Sequence, residues 1–514
     1  MSTVDTATAW NAQGDASPVQ RAFNPNGPQL IAYADRLGGS LSKLGEVLAN
    51  QFRDVFDGVH ILPFFRPFDG VDAGFDPEDH AVVDPRLGGW RDLAEIAQTR
   101  RLMVDLIVNH VSTRSDRFRQ FVSEGRSSEI APLFLTMSSI FPNGATEADL
   151  ARIYRPRPGL PFTAMTIGGE RRLIWTTFSS DQVDLDVRSA QFWDYLTSVI
   201  DTMTAAGVTM LRLDAVGYTG KMAGTDCFMT EESSAVVERI SDYAHSRNAQ
   251  VLLEVHGHHQ LQIELARSVD YVYDFALPPL VLHALHTGDP AALYRWIQVR
   301  PANAINVLDT HDGIGIVDVG PSTSEPPLPG LLESDELDRL VEAIHTASGD
   351  TSRLATGAAA SNLDLYQINC TYFDALGRDE NALMIARLVQ LLLPGIPQIY
   401  YVGLLCGVND VTLLRATGVG RDINRAHFDM AALEESVSQR VVRRQLAAIG
   451  WRSQHPAFEG TFAASMSGCA LTFTWTKESH HVEAVIDFGT KSFLVSTNSD
   501  PTTFEETHSW RPTT

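Results

Sequence analysis

Eight short apolar segments with the composition of buried β-strands recur along the chain, and most are separated by amphipathic helical stretches. Strands that are apolar throughout and alternate with helices are typical of a parallel sheet covered on both faces. Eight of them predict a closed (β/α)8 TIM barrel of the α/β class. A doubly wound open sheet is the alternative, but such sheets often carry a glycine-rich phosphate loop, and the sequence contains neither GxGxxG nor GxxxxGK[ST]. The predicted strands are Leu30–Ala34, Gly58–Pro63, Leu102–Asn109, Val208–Leu213, Gln250–Val255, Tyr271–Phe275, Ala304–Leu308 and Ile396–Tyr401.

Turn-dense segments interrupt this alternation twice and predict insertions into the barrel. One inserted subdomain is expected over residues 111–187, after the third strand, and an inserted loop subdomain over 313–369, after the seventh. From residue 458 to 514 apolar residues alternate with polar ones, which predicts a small antiparallel β domain. Residues 1–27 lack periodicity and are expected to be a mobile extension. The catalytic barrel then comprises residues 28–110, 188–312 and 370–457.

The charge balance restricts the partners of the chain. A formal net charge of -23 argues against a nucleic-acid partner, because phosphate backbones need a positive surface. The apolar stretch Leu388–Leu405 contains Pro394, Gly395 and Pro397, so a helix-turn-strand passage explains it better than a membrane span. The four cysteines form no CxxC pair, and the N-terminus lacks the pattern of a signal peptide. We therefore expect a cytoplasmic protein without a membrane partner; monomer and homodimer both stay open.

Three predicted strands end in or near a carboxylate, and this pattern indicates the candidate catalytic residues. The fourth strand leads to Asp214, the fifth to Glu254 and the seventh to Asp312. Because catalytic groups of a TIM barrel lie at the carboxyl ends of its strands, we expect these side chains to meet. Retaining glycosyl transfer needs two of them, one as nucleophile and one as acid and base, about 5–5.5 Å apart. Arg212 precedes Asp214 by two residues, so both point to one side of the strand, where the cation holds the nucleophile ionised.

Each of these residues also has a structural interpretation. A single buried carboxylate at a strand end is more often a hydrogen-bond or ion-pair partner, and His110 or His311 alone would fit a satisfied core histidine. The histidines at 256, 258 and 259 suggest a zinc site, but they lack the helical HExxH spacing. We therefore expect no metal and no organic cofactor.

Four ordered segments resemble the signature regions of the α-amylase superfamily. They read Asp-Leu-Ile-Val-Asn-His up to residue 110, Leu-Arg-Leu-Asp-Ala-Val around 214, Leu-Leu-Glu-Val-His around 254 and Val-Leu-Asp-Thr-His-Asp up to 312. Within that superfamily the chain resembles the sucrose phosphorylase family. The matching segments are Gly58–Phe65, Asp69–Asp76, Ile153–Phe162, Ala223–Thr230, Tyr273–Pro279, Ala359–Gln367 and Gly420–Arg425. The likeness extends from about Gln29 to beyond Arg425 and weakens in the C-terminal β region.

The resemblance implies roles for individual residues. Asp214 is the implied nucleophile, Glu254 the acid and base, and Asp312 the stabiliser of the transition state. The implied ligands of the transferred glucosyl unit and of the phosphate or fructosyl group are Asp72, Phe75, His110, Arg157, Phe178, Arg212, Tyr218, His256, His311, Asp364, Tyr366, Gln367 and Arg421. Phe75, Phe178 and Tyr218 would otherwise be packing residues, and Arg157 would be a surface ion pair.

The implied reaction joins sucrose and inorganic phosphate to give α-glucose 1-phosphate and fructose. Several alternatives stay open: a phosphorylase of sucrose phosphate, glucosylglycerol or glucosylglycerate, a hydrolase on the same scaffold, and a sugar-binding module. The segment Gly257-His258-His259 departs from the family pattern, so the aglycone stays open as well.

Overall fold

A closed barrel of eight parallel strands forms the centre of the protein. The computed structural model describes residues 27–70, 72–156, 159–322, 327–355, 367–498, 500–502 and 504. Each barrel strand pairs with its neighbours in chain order, and the first strand closes the barrel against the eighth. The strands are β1 (Gln29–Ala32), β2 (Gly58–Ile61), β3 (Arg101–Ile107), β4 (Val208–Asp214), β5 (Gln250–Leu253), β6 (Tyr271–Asp274), β7 (Ala304–Asn306) and β8 (Ile396–Tyr400). The predicted barrel is confirmed, and every strand coincides with one of the eight predicted segments.

Several polar side chains inside the barrel form a hydrogen-bonded network. In the register of β1 and β8, Gln29 lies opposite Gln398. The Gln398 amide donates to Gln29 Oε1 at 3.0 Å, and the Tyr273 hydroxyl donates to Gln398 Oε1 at 3.0 Å. Because buried amides are costly only when unpaired, this network is compatible with a core that is otherwise aliphatic.

Helices cover the outside of the barrel. The helix Ala190–Ala205 illustrates why: Ser189 caps its first turn, and Phe192, Leu196, Val199 and Met203 recur at helical spacing and are buried. The helices between consecutive barrel strands or after β8 are Leu41–Ala49, Trp90–Ala97, Ala190–Ala205, Glu231–Ser246, His259–Leu265, Leu277–Thr287, Ala291–Val299, Ser334–Ala347, Tyr372–Ala375, Glu380–Leu392, Tyr401–Leu404, Val411–Thr417, Met430–Ser438 and Arg440–Gln454.

A sharp turn connects the helix Glu380–Leu392 to β8, so the predicted helix-turn-strand passage is confirmed. Gly395 lies in this turn with φ +106°, and a Cβ atom there would lie 2.2 Å from the Ala304 carbonyl oxygen. Only glycine fits this backbone approach. Within the part of the chain that the structure describes, no helix is long and apolar enough to cross a membrane.

Small elements after β2, β3 and β7 surround the carboxyl end of the barrel. After β3 the chain forms the helices Asp116–Glu124, Met137–Ile140 and Glu147–Arg152, and the hairpin of Phe162–Ile167 with Glu170–Trp175. Three further antiparallel pairs are Phe65–Arg66 with Asp79–Val83, His110–Ser112 with Gln182–Asp184, and Ile314–Gly315 with Gln367–Ile368. The domain boundaries given above stay predictions, and residues 1–26 of the expected mobile extension lie outside the described residues.

The C-terminal region is an antiparallel sheet, as predicted. Its strands are Thr461–Ser467, Ala470–Lys477, His480–Asp487, Ser492–Thr497 and Asp500–Pro501. The sheet is tied to the barrel by Trp475, whose indole donates to the Leu392 carbonyl at 2.6 Å. All four cysteines are free, and only Cys469 is exposed.

Candidate active site

The three predicted carboxylates line one cavity at the carboxyl ends of the barrel strands. Asp214 is the last residue of β4, Glu254 follows β5 directly, and Asp312 lies in the loop after β7. The cavity has a volume of about 100 Å³. The other predicted residues that line it are Asp72, Phe75, His110, Phe178, Tyr218, His256, His311, Gln367 and Arg421. The fold thus brings together residues that are up to 349 positions apart in the sequence, as for Asp72 and Arg421, which the family resemblance implied.

Arg212 lies beneath the cavity and contacts two of the carboxylates. Its guanidinium donates to Asp214 Oδ1 at 2.8 Å and lies 3.7 Å from Glu254 Oε1. It also donates to Asp105 Oδ1 at 2.5 Å, and His60 donates to the other oxygen of Asp105 at 2.9 Å. Arg212 and Asp105 are almost completely buried, so their mutual attraction is weakly screened. The cation is thereby fixed in position between Asp214 and Glu254.

Two carboxylates of the cavity have pKa values shifted in opposite directions. Burial raises the pKa of Asp214 well above its usual range, and the neighbouring Glu254 and Asp105 carboxylates act in the same direction against Arg212. Burial also acts to raise the pKa of Asp312, but the guanidiniums of Arg421, Arg425 and Arg212 act in the opposite direction, and this pKa lies well below the usual range. Asp312 is therefore a permanent anion at neutral pH.

Arg421 connects Asp312 to Asp72. Its guanidinium donates to Asp312 Oδ1 and, at 3.1 Å, to Asp72 Oδ2. A planar guanidinium can hold two carboxylates at fixed spacing in this way. The result is a rigid row of charged oxygen and nitrogen atoms that could hydrogen-bond adjacent hydroxyl groups of a sugar.

Aromatic rings form two walls of the cavity. Phe75 stacks on His311, with ring centroids 4.8 Å apart and an interplanar angle of 7°. On the other side Phe178 lies 5.1 Å from Tyr218 and 5.2 Å from His110. Aromatic faces provide apolar contact for the C–H face of a sugar ring while excluding water.

Some predicted residues cannot be placed. Arg157, Asp364 and Tyr366 lie outside the described residues. Gln367 is described, and its side-chain Nε2 lies 3.3 Å from Nε2 of His256.

The histidines at 256, 258 and 259 do not form one cluster. His258 and His259 lie together, with ring centroids 4.1 Å apart, and His258 also faces the Pro329 carbonyl at 3.1 Å, while His256 faces Asp318. A different trio, Glu254, His256 and Asp312, offers ligand atoms within 4.8 Å of one another. The guanidiniums of Arg212 and Arg421 already face its two carboxylates, so this donor set fits a metal ion poorly.

Sequence reasoning missed an ion pair next to the cavity. Lys221 lies 2.8 Å from Asp184 and donates to the Asn109 side chain at 3.1 Å and to the Tyr218 carbonyl. It also missed Gln182, which donates to the Phe75 carbonyl at 3.2 Å. Both sets join loops that are distant in sequence, and no local motif marks them.

The barrel and its strand-end carboxylates define an enzyme of the α-amylase type. Residues 55–275 match the family described as alpha amylase, catalytic domain. The chain is 50% identical over 478 residues to a sucrose phosphorylase of Bifidobacterium adolescentis, covering 93% of this chain and 94% of that protein. It is also 50% identical over 466 residues to a sucrose phosphorylase of Agrobacterium vitis, covering 90% of this chain and 95% of that one.

A solved structure extends the comparison. The crystal structure of sucrose 6F-phosphate phosphorylase from Thermoanaerobacter thermosaccharolyticum matches with a TM-score of 0.86 at 36% identity, over 93% of this chain and 97% of that one. The chain belongs to the sucrose phosphorylase family.

Proposed function

We propose that this protein is a retaining glycoside phosphorylase that transfers the glucosyl unit of sucrose to inorganic phosphate, giving α-glucose 1-phosphate and fructose. The observation that carries the proposal is membership of the family over 93% of the chain, together with three carboxylates lining one cavity. Composition and charge exclude no part of it, since a neutral disaccharide and one small anion need no extended basic surface.

In the first half of the reaction Asp214 attacks the anomeric carbon of the glucosyl unit. The Arg212 guanidinium, 2.8 Å from Asp214 and 3.7 Å from Glu254, acts against the upward shift of the Asp214 pKa and so favours the ionised, nucleophilic form of this carboxylate. As the proposed acid, Glu254 donates a proton to the departing fructosyl oxygen. A covalent β-glucosyl enzyme results.

In the second half Glu254 is the base. It accepts a proton from the attacking phosphate, which enters from the face that fructose has left, so two inversions give net retention. Asp312, held anionic by Arg421, stabilises the positive charge that develops on the sugar ring in both halves. Phosphate must compete with ~55 M water, so the aromatic walls and the bound acceptor have to exclude water from the intermediate.

The charged side chains of the cavity indicate which described residue faces the phosphate acceptor. Among the described residues that line it, the cationic or cation-forming side chains are Arg421 and three histidines. Arg421 is engaged by two carboxylates, and His110 and His311 are neutral at pH 7, because burial lowers their pKa values. Among the described lining residues, His256 is the side chain proposed to face the phosphate acceptor.

The direct test is incubation of the purified protein with sucrose, with and without inorganic phosphate. We expect α-glucose 1-phosphate and fructose in equal amounts, formed only when phosphate is present. Glucose released at the same rate under both conditions would instead identify a hydrolase. Parallel incubations with sucrose 6-phosphate, glucosylglycerol and glucosylglycerate separate the related phosphorylases, and binding without turnover of any of them would indicate a sugar-binding module.

The assigned roles are tested by isosteric substitution. Glu254→Gln and Asp214→Asn should each lower kcat by at least ~10³-fold, because each removes a group that no neighbour replaces. Glu264→Gln is a matched control, since Glu264 lies on the exposed face of a nearby helix. Circular dichroism checks that all variants fold, and a folded Glu254→Gln variant with wild-type activity would refute the role of Glu254.

The four free thiols support a location in the reducing cytoplasm. Fractionation of cells that express the protein, with a cytoplasmic and a secreted marker enzyme, tests this.

A further inference from the structure

The imidazole of His256 is fixed on three sides. Asp318 Oδ2 lies 3.1 Å from Nδ1, and Gln367 Nε2 lies 3.3 Å from Nε2. The ring also stacks on Phe275, with centroids 3.8 Å apart and an interplanar angle of 14°. Its Nε2 atom lies 3.8 Å from Glu254 Oε1 at the cavity. His256 therefore has one orientation, with Nδ1 turned away from the reacting atoms and Nε2 turned toward them.

Asp318 is fully buried and directs all of its hydrogen bonds to the segment that carries His256. Besides the imidazole, it accepts from the Gly257 backbone at 3.2 Å and from the Gln262 amide at 3.0 Å. Gly315 makes room for it, because a Cβ atom there would lie 2.3 Å from Asp318 Oδ2. A buried carboxylate with this set of contacts holds the segment after β5 against the loop after β7.

The contact with Asp318 fixes which nitrogen carries the proton. An ionised carboxylate only accepts hydrogen bonds, so Nδ1 must be the protonated nitrogen in both charge states of the ring. In the neutral ring, Nε2 accepts from the Gln367 amide, whose own oxygen accepts from the Gly313 backbone at 3.3 Å. In the imidazolium, Nε2 becomes a donor, so the Gln367 amide no longer donates to it and Nε2–H is available to an acceptor oxygen in the cavity.

The surroundings favour the charged ring. The carboxylates of Asp318, Glu254 and Asp312 face it, from the loop after β7 and the end of β5. Burial lowers the pKa of His256, but these carboxylates raise it by more, so the net shift is upward from the ordinary value. The cation is present below this raised pKa and is lost as the pH rises through it.

We propose that Asp318 is a positioning residue that keeps His256 protonated at Nδ1 and presents Nε2–H to the acceptor side of the cavity, so that His256 binds the phosphate acceptor as a cation. This inference rests on the proposed function, which it deepens by assigning acceptor selectivity to a residue that does not touch the substrate. An uncharged acceptor such as water gains little from the cation, whereas phosphate gains a charge-assisted hydrogen bond.

The test compares two reactions of one covalent intermediate: phosphorolysis and the slow hydrolysis of sucrose without phosphate. Asp318→Asn should raise the KM for phosphate about 10–100-fold, because the charge-assisted contact is weakened. Phosphorolysis should fall about 10-fold more than hydrolysis. The pH above which KM for phosphate rises should shift downward, since the Asn variant lowers the pKa of His256. Gly315→Ala should have the same signature, because its methyl group displaces Asp318.

Gln262→Met is the matched control. It removes a hydrogen bond to Asp318 but leaves the contact with His256, so the ratio of the two reactions should stay within about threefold of wild type. A proportional loss of both reactions in Asp318→Asn, or an unshifted pH profile for phosphate, would overturn the inference.

Titration of the wild-type enzyme keeps the inference testable if Asp318→Asn fails to fold. ¹⁵N NMR of the histidine side chains should show His256 protonated at Nδ1 throughout, with a pKa above about 6.5 that rises when phosphate is added. A lower pKa, or a neutral ring protonated at Nε2, would contradict it. If the wild-type enzyme forms no glucose 1-phosphate, the proposed function fails separately, and the titration still decides the role of Asp318.

Discussion

Replacing Lys221 by methionine is expected to destabilise the protein by about 3–5 kcal/mol. The ammonium group lies 2.8 Å from the Asp184 carboxylate, and the two side chains are 3% and 0% exposed. Methionine keeps the apolar stem but leaves Asp184 as a buried anion whose remaining partners are the Thr177 backbone at 3.0 Å and hydroxyl at 2.5 Å. Breaking a buried ion pair from one side costs about 3–5 kcal/mol, because the remaining charge is uncompensated.

The assay is denaturant unfolding followed by tryptophan fluorescence, with a double variant to identify the cause. Lys221→Met combined with Asp184→Asn removes both charges, and the amide can still bond to Thr177. The double variant should therefore regain more than half of the stability lost by the single one. Lys43→Met is the control, since Lys43 forms an exposed pair with Glu46 and should cost less than about 1 kcal/mol.

Two results would refute this reasoning. One is a loss of less than about 1 kcal/mol in Lys221→Met, and the other is a double variant no more stable than the single one. Either would mean that the Asp184 charge is compensated by solvent or by a neighbouring group.

Because Lys221 also holds the Tyr218 carbonyl and the Asn109 amide at the cavity wall, we expect kcat/KM for sucrose to fall about 10-fold or more in the single variant.

Three further substitutions test other parts of the structure. Arg421→Lys should lower kcat/KM for sucrose by about 100-fold, because an ammonium group cannot bridge both carboxylate partners; unchanged initial rates would contradict this. Burial raises the pKa of Asp309 to about 6, so the native state binds a proton more tightly than the unfolded state. As the pH rises from 4 to 6, the unfolding free energy of the wild type should therefore fall relative to that of Asp309→Asn, by up to about 3 kcal/mol, and the difference should stay level above pH 6. A difference in unfolding free energy that does not depend on pH would refute this prediction. Trp475→Phe should cost about 1–3 kcal/mol in thermal or denaturant unfolding, because the buried Leu392 carbonyl loses its donor, and no loss would mean that it finds another.

The barrel could be predicted because its strands are buried on both faces. The segment Ile396–Tyr400, for example, is buried at every position, so its apolar run is visible in the sequence without any partner. Asp214, Glu254 and Asp312 could be predicted to share a cavity for a related reason, since parallel strands of a barrel end at the same face. Their assigned roles, like those of the sugar-binding residues, stay predictions.

The contacts between loops could not be predicted in the same way. Lys221 and Asp184 belong to the loops after β4 and β3, and nothing in Tyr218-Thr-Gly-Lys221 marks this lysine as buried. Asp318 meets His256 only because a short strand pair, Ile314–Gly315 with Gln367–Ile368, positions the loop after β7. Such contacts depend on the path of irregular chain, for which neither periodicity nor propensity gives a rule.

Residues of the cavity lie on two kinds of element: the barrel strands and the small strand pair beside His256. Asp214 and Glu254 lie at the end of barrel strands or directly after them, where a changed residue disturbs the packed core. Gly315, Asp318 and Gln367 stand on an appendage whose pairing spans two residues on each strand. This appendage can accumulate substitutions while the barrel keeps its chemistry. A lineage of such enzymes can therefore exchange the molecule that receives the sugar in a few mutational steps, and directed evolution of new acceptors should begin with residues 313–322 and 367–369.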